Sequence, residues 1–308
     1  MDDYRFVVDD ASLVIPAQLV GADLEAAFDR LSDQLQACRR DGDGVAIIGD
    51  YDVLDCRAGM KLHELLTSGE ISRDCRVRAY GLLDKCTRFD ADASFAIDPA
   101  IEVDGVRMES FALALIADRR RQKVAIGALA LVPRSGPGLV TIRDETDEGP
   151  AFIIIDLQTR LAFYRSIFEV EDTPEAEFFV VARRAFPSLR FASTVSFRRF
   201  EGTYAELRES VVTHLAALND RFRDALQSAS GMPDGVSAAT GIDMSIEGAT
   251  RGSERLMRAR DVDYKGHVYR CEWHSKLEPH RNRIHVHRGD EHTNDCVLIG
   301  IFVDHLAT

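Results

Sequence analysis

The chain contains no Cys-x-x-Cys pair. Its six cysteines, Cys38, Cys56, Cys75, Cys86, Cys271 and Cys296, are scattered along 308 residues. That spread excludes a zinc-finger motif and, at this size, a disulfide framework, and it reads as reduced, mostly buried thiols. No run of about 18 apolar residues occurs, so no spanning helix is expected. The opening MDDYRFVVDD is acidic and lacks the charged-then-apolar order of a secretory signal, which points to a cytoplasmic protein with no membrane partner. Also missing are a P-loop, a G-x-G-x-x-G, a G-x-S-x-G and an H-E-x-x-H, which leaves the common nucleotide-binding and hydrolase classes without support. There is no internal repeat and no low-complexity tract. Positive charge is short as well: 38 Lys and Arg face 51 Asp and Glu, a net charge of −13, which disfavours general affinity for nucleic acid.

What remains is a globular composition, 45% hydrophobic and 29% charged, long enough for two or three domains. The charge deficit is uneven. Residues 251–308 carry ten Lys and Arg against nine Asp and Glu, while residues 1–250 carry 28 against 42. The C-terminal part can therefore accept an anionic ligand that the rest would repel.

Hydrophobic spacing predicts an amphipathic helix over Gly21 to Arg40, with Leu24, Phe28, Leu31, Leu35 and Cys38 on one face. A short buried strand follows between Gly44 and Gly49. Short helices are expected over Lys61 to Leu66 and Asp74 to Cys86, and Pro99 to Gly105 reads as a turn or boundary. Met108 to Asp118 predicts a helix, and Val124 to Val132, Leu139 to Ile142 and Phe152 to Asp156 predict strands. Thr203 to Leu226 carries a helical stripe through Leu207, Val211, His214, Leu215, Leu218, Phe222 and Leu226, with Thr203 as its cap. Ser228 to Gly241 reads as a linker, and the chain beyond it as a short antiparallel sheet. The expected fold is α+β, with mixed helix/strand N-terminal (1–105) and middle (106–230) regions and a C-terminal antiparallel β-sheet region (231–308).

Seven of the nine histidines fall in the last 42 residues. Within Tyr269 to His287, alternation along a strand places Glu272, His274 and Lys276 on one face, with Cys271, Trp273 and Ser275 opposite. After the turn at Glu278-Pro279-His280, Arg283, His285 and His287 share a face. Folded as a hairpin, Glu272, His274, Lys276, Arg283, His285 and His287 form one candidate site. Metal-free RNA cleavage needs a base for the 2′-hydroxyl, an acid for the leaving oxygen and cations for the phosphate, and this face supplies all of them. The same residues also describe a solvated sheet face. A third reading is metal: His285-x-His287 offers two imidazoles and His274 or Glu272 a further ligand, although Lys276 and Arg283 would repel a divalent ion. On balance no metal or other cofactor is expected.

Other clusters have ordinary readings. Asp50, Asp52 and Asp55 follow a buried strand, where Mg²⁺ chemistry often sits, yet an acidic strand exit is the simpler account. Arg119 to Lys123 reads as the cationic end of a helix. His214 lies on an apolar stripe and reads as a core histidine. Ser245-Ile246-Glu247-Gly248 and Ser253 have no partner that would make a nucleophile.

The order Lys276-Leu277, turn, Arg283-Ile284 and then an apolar strand from Val297 to His305 resembles the C-terminal sheet of RelE-type ribonuclease toxins over about 40 residues. That resemblance implies phosphate binding by Lys276 and Arg283, with His285 or His305 as acid–base groups. More broadly, the strings AFPSLRF (Ala185 to Phe191), HLAALND (His214 to Asp220), CEWHSKL (Cys271 to Leu277), RIHVH (Arg283 to His287) and Asp304-His305-Leu306 resemble a stretch in a group of uncharacterised bacterial proteins, which implies that residues 185–308 are one inherited unit. Two functions are thus expected as alternatives. One is a metal-independent ribonuclease of toxin or antiviral-defence type acting on RNA. The other is a non-catalytic subunit that recognises an anionic ligand or a protein partner. A His/Glu metal-dependent phosphodiesterase or nuclease is a further alternative.

Overall fold

Strong local signals set the first elements. A computed structural model describes residues 4–89, 98–248 and 252–306. Strand β1 (Phe6–Val8) leads to helix α1 (Gly21–Arg40), whose buried face is Leu24, Ala27, Phe28, Leu31, Leu35 and Cys38. Strand β2 (Val45–Ile48) is buried throughout. A small hairpin, β3 (Asp55–Arg57) and β4 (Met60–Lys61), precedes α2 (Leu62–Thr67) and α3 (Arg73–Leu83). Then come β5 (Thr87–Phe89), β6 (Ala100–Val103), β7 (Val106–Glu109), α4 (Phe111–Arg121), β8 (Gly127–Leu129), β9 (Gly138–Arg143), β10 (Glu148–Ile154) and α5 (Leu157–Val170).

The strands form one eight-stranded sheet in the order β5-β2-β1-β8-β10-β9-β6-β7. From β5 to β10 the strands are parallel; β9, β6 and β7 add antiparallel neighbours. Pro99 to Gly105, expected to be a turn or boundary, is no boundary but does hold a turn: β6 and β7 form a hairpin around Asp104 (φ 47) and Gly105 (φ 83), both in the left-handed conformation that a two-residue turn requires.

The second group of elements comprises α6 (Phe178–Ala185), β11 (Leu189–Phe191), α7 (Tyr204–Asp220), α8 (Phe222–Ser228), α9 (Pro233–Thr240), β12 (Met244–Ile246), α10 (Glu254–Met257), β13 (Asp261–Tyr264), β14 (His267–Arg270), β15 (Trp273–Lys276), β16 (Arg283–His287) and β17 (Val297–Val303). Five strands make a sheet in the order β11-β17-β16-β15-β12, antiparallel except for the β11–β17 pair, and β13–β14 is a separate hairpin. The fold is α+β. Contacts gather into two units, Met1–Asp172 and Thr173–Thr308, where three regions were expected. Residues on both sides of position 105 contribute strands to one sheet, and residues on both sides of 230 belong to one unit.

The expected linker Ser228 to Gly241 contains α9. Pro233 starts that helix, Val236 is buried in it, and Gly241 ends it in the left-handed conformation, so small residues here are helix punctuation. The strand alternation expected from Tyr269 onward breaks at Cys271–Glu272, because β14 pairs with β13 while β15 pairs with β12 and β16. The Arg119–Lys123 run is, as expected, the cationic end of a helix: Arg120 pairs with Asp147 at 2.8 Å.

At the carboxyl end of β1, Asp9 is buried and accepts hydrogen bonds from the Ala11 N–H (3.1 Å) and the Ser110 hydroxyl (3.0 Å). Asp10 accepts from the Phe111 and Ala112 N–H groups at the start of α4. Burial, reinforced by the neighbouring Asp10, pushes the Asp9 carboxyl up to about 7. A raised carboxyl pKa means that the folded chain holds a proton the unfolded chain has lost, so stability falls as pH rises from about 4 to about 7. Asp9→Asn keeps the accepting oxygen and removes the ionisation. It is expected to be more stable than the parent at pH 8, on the order of 2 kcal/mol, and no more stable at pH 4, by thermal unfolding at both values.

Candidate metal centre

The β15–β16 register sets the geometry of the histidine-rich face. His274 lies opposite His285, Lys276 opposite Arg283, and Trp273 opposite Val286. Opposed residues share a face, so His274, Lys276, Arg283 and His285 do come together as the alternation predicted. The two imidazole centroids are 5.0 Å apart. Lys276 turns to Asp243, with Nζ 3.2 Å from both carboxylate oxygens.

His287 stands apart, half-buried, with its ring 5.1 Å from Tyr269 and its Nδ1 accepting from the Gly289 N–H at 3.1 Å. Burial lowers its pKa, against an upward pull from Asp290 and Glu272. Glu272 is in the break before β15 and is not part of the close cluster. Of the remaining histidines, His280 and His305 are exposed, and His267 stacks on His292 at 4.2 Å.

The acid beside the imidazoles is Glu247, immediately after β12. Met244, Ser245 and Ile246 pair with Ser275, His274 and Trp273, and the Glu247 N–H donates to the Glu272 carbonyl at 3.0 Å. Alternation then directs Glu247 to the face of Ser245 and His274. One ligand atom each from Glu247, His274 and His285 lies within 4.8 Å of the others, and all three residues are buried. Glu247 Oε1 is 3.4 Å from His274 Nδ1 and 2.9 Å from Nε of Arg260, itself buried.

These contacts do not satisfy the imidazoles. His274 Nδ1 and both ring nitrogens of His285 are buried without a hydrogen-bond partner. The Cys271 carbonyl lies near the His285 ring but outside hydrogen-bond geometry. Orphaned buried nitrogens of this kind are rare and each costs about 1–3 kcal/mol. Burial lowers the His274 pKa to about 4, against the pull of Glu247, and with the help of Arg283 and Lys276. Burial and then His274 lower His285 to about 3. The fold thus holds both imidazoles neutral, the form in which imidazole ligates a metal. The unfolded chain binds protons on these rings between pH 6.5 and about 4 that the folded chain does not, so the metal-free protein loses stability as pH falls through that window.

A bulge supports this arrangement. Between His285 and Val286 the register with β17 shifts from Ile301 to Ile299, leaving Gly300 as the extra residue. A Cβ at Gly300 would collide with Cys271 Sγ. Glycine there allows close approach of Cys271, just before β15, to the sheet.

The other candidate clusters do not assemble a centre. Asp50 is exposed, and Asp55 pairs with Lys61 at 2.8 Å. His214 is buried, as a core histidine would be, though its Nδ1 has no hydrogen-bond partner. In the sequence Glu247 stands out only within Ser245-Ile246-Glu247-Gly248, a motif without a nucleophile's partner, and Arg260 carries no signal. The signal for Glu247 was the alternation Met244-Ser245-Ile246-Glu247, a strand too short to stand out.

No family model, curated protein or solved structure matches this chain.

Proposed function

We propose that the chain is a metal-binding protein whose C-terminal unit holds one divalent transition-metal ion of the zinc class on Glu247, His274 and His285. The observation that carries this reading is the convergence of the three ligand atoms within 4.8 Å around a doubly orphaned, fully buried His285 imidazole. Two imidazoles and a carboxylate form a three-ligand set of the kind zinc accepts, with a fourth position left for water or another small ligand. Arg260 would act on the carboxylate from outside, orienting Glu247 and balancing its charge. Burial of all three ligands excludes a macromolecule from the ion, so its role is to fix the sheet and to act at most on small molecules. This departs from the expectation of no metal. Isothermal titration of chelator-stripped protein with Zn²⁺ is expected to give one ion per chain, unchanged in His287→Ala. Binding at less than one-half ion per chain, or equal loss in His287→Ala, would count against it.

The pairing of Lys276 with Arg283 and the RelE-type resemblance support a second reading, RNA cleavage without metal. A substrate outside the core could exchange protons with half-buried His287, not with His274 or His285, whose rings are neutral and enclosed. Cleavage of single-stranded RNA in EDTA that disappears in both His287→Ala and Lys276→Ala is the outcome that reading requires; its absence removes it.

A further inference from the structure

The opposite face of the same sheet borders a cleft of about 660 Å³, within the range of small-molecule sites. Its apolar wall is Trp273, Ile246 and Leu226. Trp273 and Ile246 are cross-strand partners, and Phe222 meets the Trp273 ring edge-on at 5.8 Å, so the indole is held in place by a core contact. Around this wall stand exposed polar groups: Gln227, Ser230 and Arg288.

The charges at the rim are unequal. Arg223 is committed to Asp295, with Nη2 at 3.4 Å from its carboxylate. Asp290 spends its carboxylate on its own turn, accepting from the His292 N–H (3.0 Å), the Thr293 N–H (3.2 Å) and the Tyr269 hydroxyl (3.2 Å). Arg288 has no ion pair among the described residues. Two turns shape the opening. Ser230 has φ 51, a left-handed conformation uncommon for a residue with a side chain, followed by Gly231 at φ 71; such backbone is costly and concentrates at ligand sites. Gly289 has φ 86, and a Cβ there would strike the Cys296 carbonyl, so only glycine can follow Arg288.

We infer that this cleft binds a nucleoside monophosphate, with the base against Trp273 and the phosphate on Arg288. Trp273 is only 8% exposed, so the base meets the part of its ring that lines the cleft together with Leu226 and Ile246, an apolar surface that takes a planar base regardless of its identity. A guanidinium matches phosphate with two parallel hydrogen bonds, and Gln227 and Ser230 can bond the edge of the base or the sugar. The inference is independent of the metal centre, because Trp273 and His274 are consecutive in β15 and point to opposite faces.

Trp273 is the chain's one tryptophan, so its fluorescence reports this cleft alone. The full chain is titrated with AMP, adenosine and inorganic phosphate, both in EDTA and with Zn²⁺ present. Saturable quenching by AMP is expected in both conditions, with adenosine and phosphate each at least about tenfold weaker. Arg288→Ala is expected to weaken AMP by at least about tenfold without changing the adenosine response or the circular dichroism. Quenching that does not saturate, that is equal for AMP and adenosine, that phosphate alone reproduces, or that survives Arg288→Ala overturns the inference.

Discussion

Replacing His285 with alanine is expected to lower zinc affinity by at least about a hundredfold, since even the groups that merely orient a ligand are worth 10–100-fold. His285 is the decisive member because both its ring nitrogens are buried without a hydrogen-bond partner. His274→Ala and Glu247→Gln are expected to follow the same direction. The loss separates from simple unfolding through stability. Removing His285 also removes a group whose pKa burial lowers to about 3, so the metal-free variant should lose less stability than the parent between pH 6.5 and 4. If the variant binds zinc as tightly as the parent while folded, the ion is held elsewhere. Competition titration against a chelator of known affinity measures the first effect, and urea unfolding at pH 7 and pH 4.5 the second.

Arg260→Met should destabilise the metal-free protein by about 3–5 kcal/mol, the cost of removing one partner of a buried ion pair. Arg260 is 1% exposed and Glu247 7%, so water cannot solvate the carboxylate left behind. Saturating zinc supplies the missing positive charge and is expected to restore more stability to this variant than it adds to the parent. Thermal unfolding of both proteins with EDTA and with zinc makes the comparison. Equal zinc effects in the two proteins would mean that the ion does not sit on Glu247.

Sequence periodicity carried some of this fold and not the rest, for identifiable reasons. Helix α1 was legible through its long apolar stripe, which Gly21 opens, and α7 through Thr203, which caps it by accepting from the Glu206 N–H, but the single helix expected over Thr203 to Leu226 is two, α7 and α8, parted at Arg221 (φ −132). The β15–β16 hairpin was legible because alternating charge over nine or more residues has one natural register. The parallel order of the large sheet was not, since strands of three or four buried residues such as β1, β2 and β8 carry no record of their neighbours. Helix α9 was hidden by small residues that resemble a linker.

The site divides in the same way. His274, Lys276, Arg283 and His285 were expected on one hairpin face, and the β15–β16 register sets His274 opposite His285 and Lys276 opposite Arg283. Glu272 was placed with them by alternation, but the chain breaks at Cys271–Glu272, and the acid at the imidazoles comes from Glu247, 27 residues before His274. Burial was the feature least visible in sequence: a face rich in His, Lys and Arg reads as solvated, whereas His274 and His285 are both enclosed. That enclosure turns attention from proton transfer with a large substrate to ligation of an ion.

The most direct measurement is X-ray absorption at the zinc edge of the zinc-loaded chain. The proposed centre predicts two imidazole nitrogens at about 2.0–2.1 Å and oxygen ligation at about 2.0–2.2 Å, with one imidazole signal lost in His285→Ala. A first shell of oxygen alone, or an imidazole count that His285→Ala leaves unchanged, would contradict it.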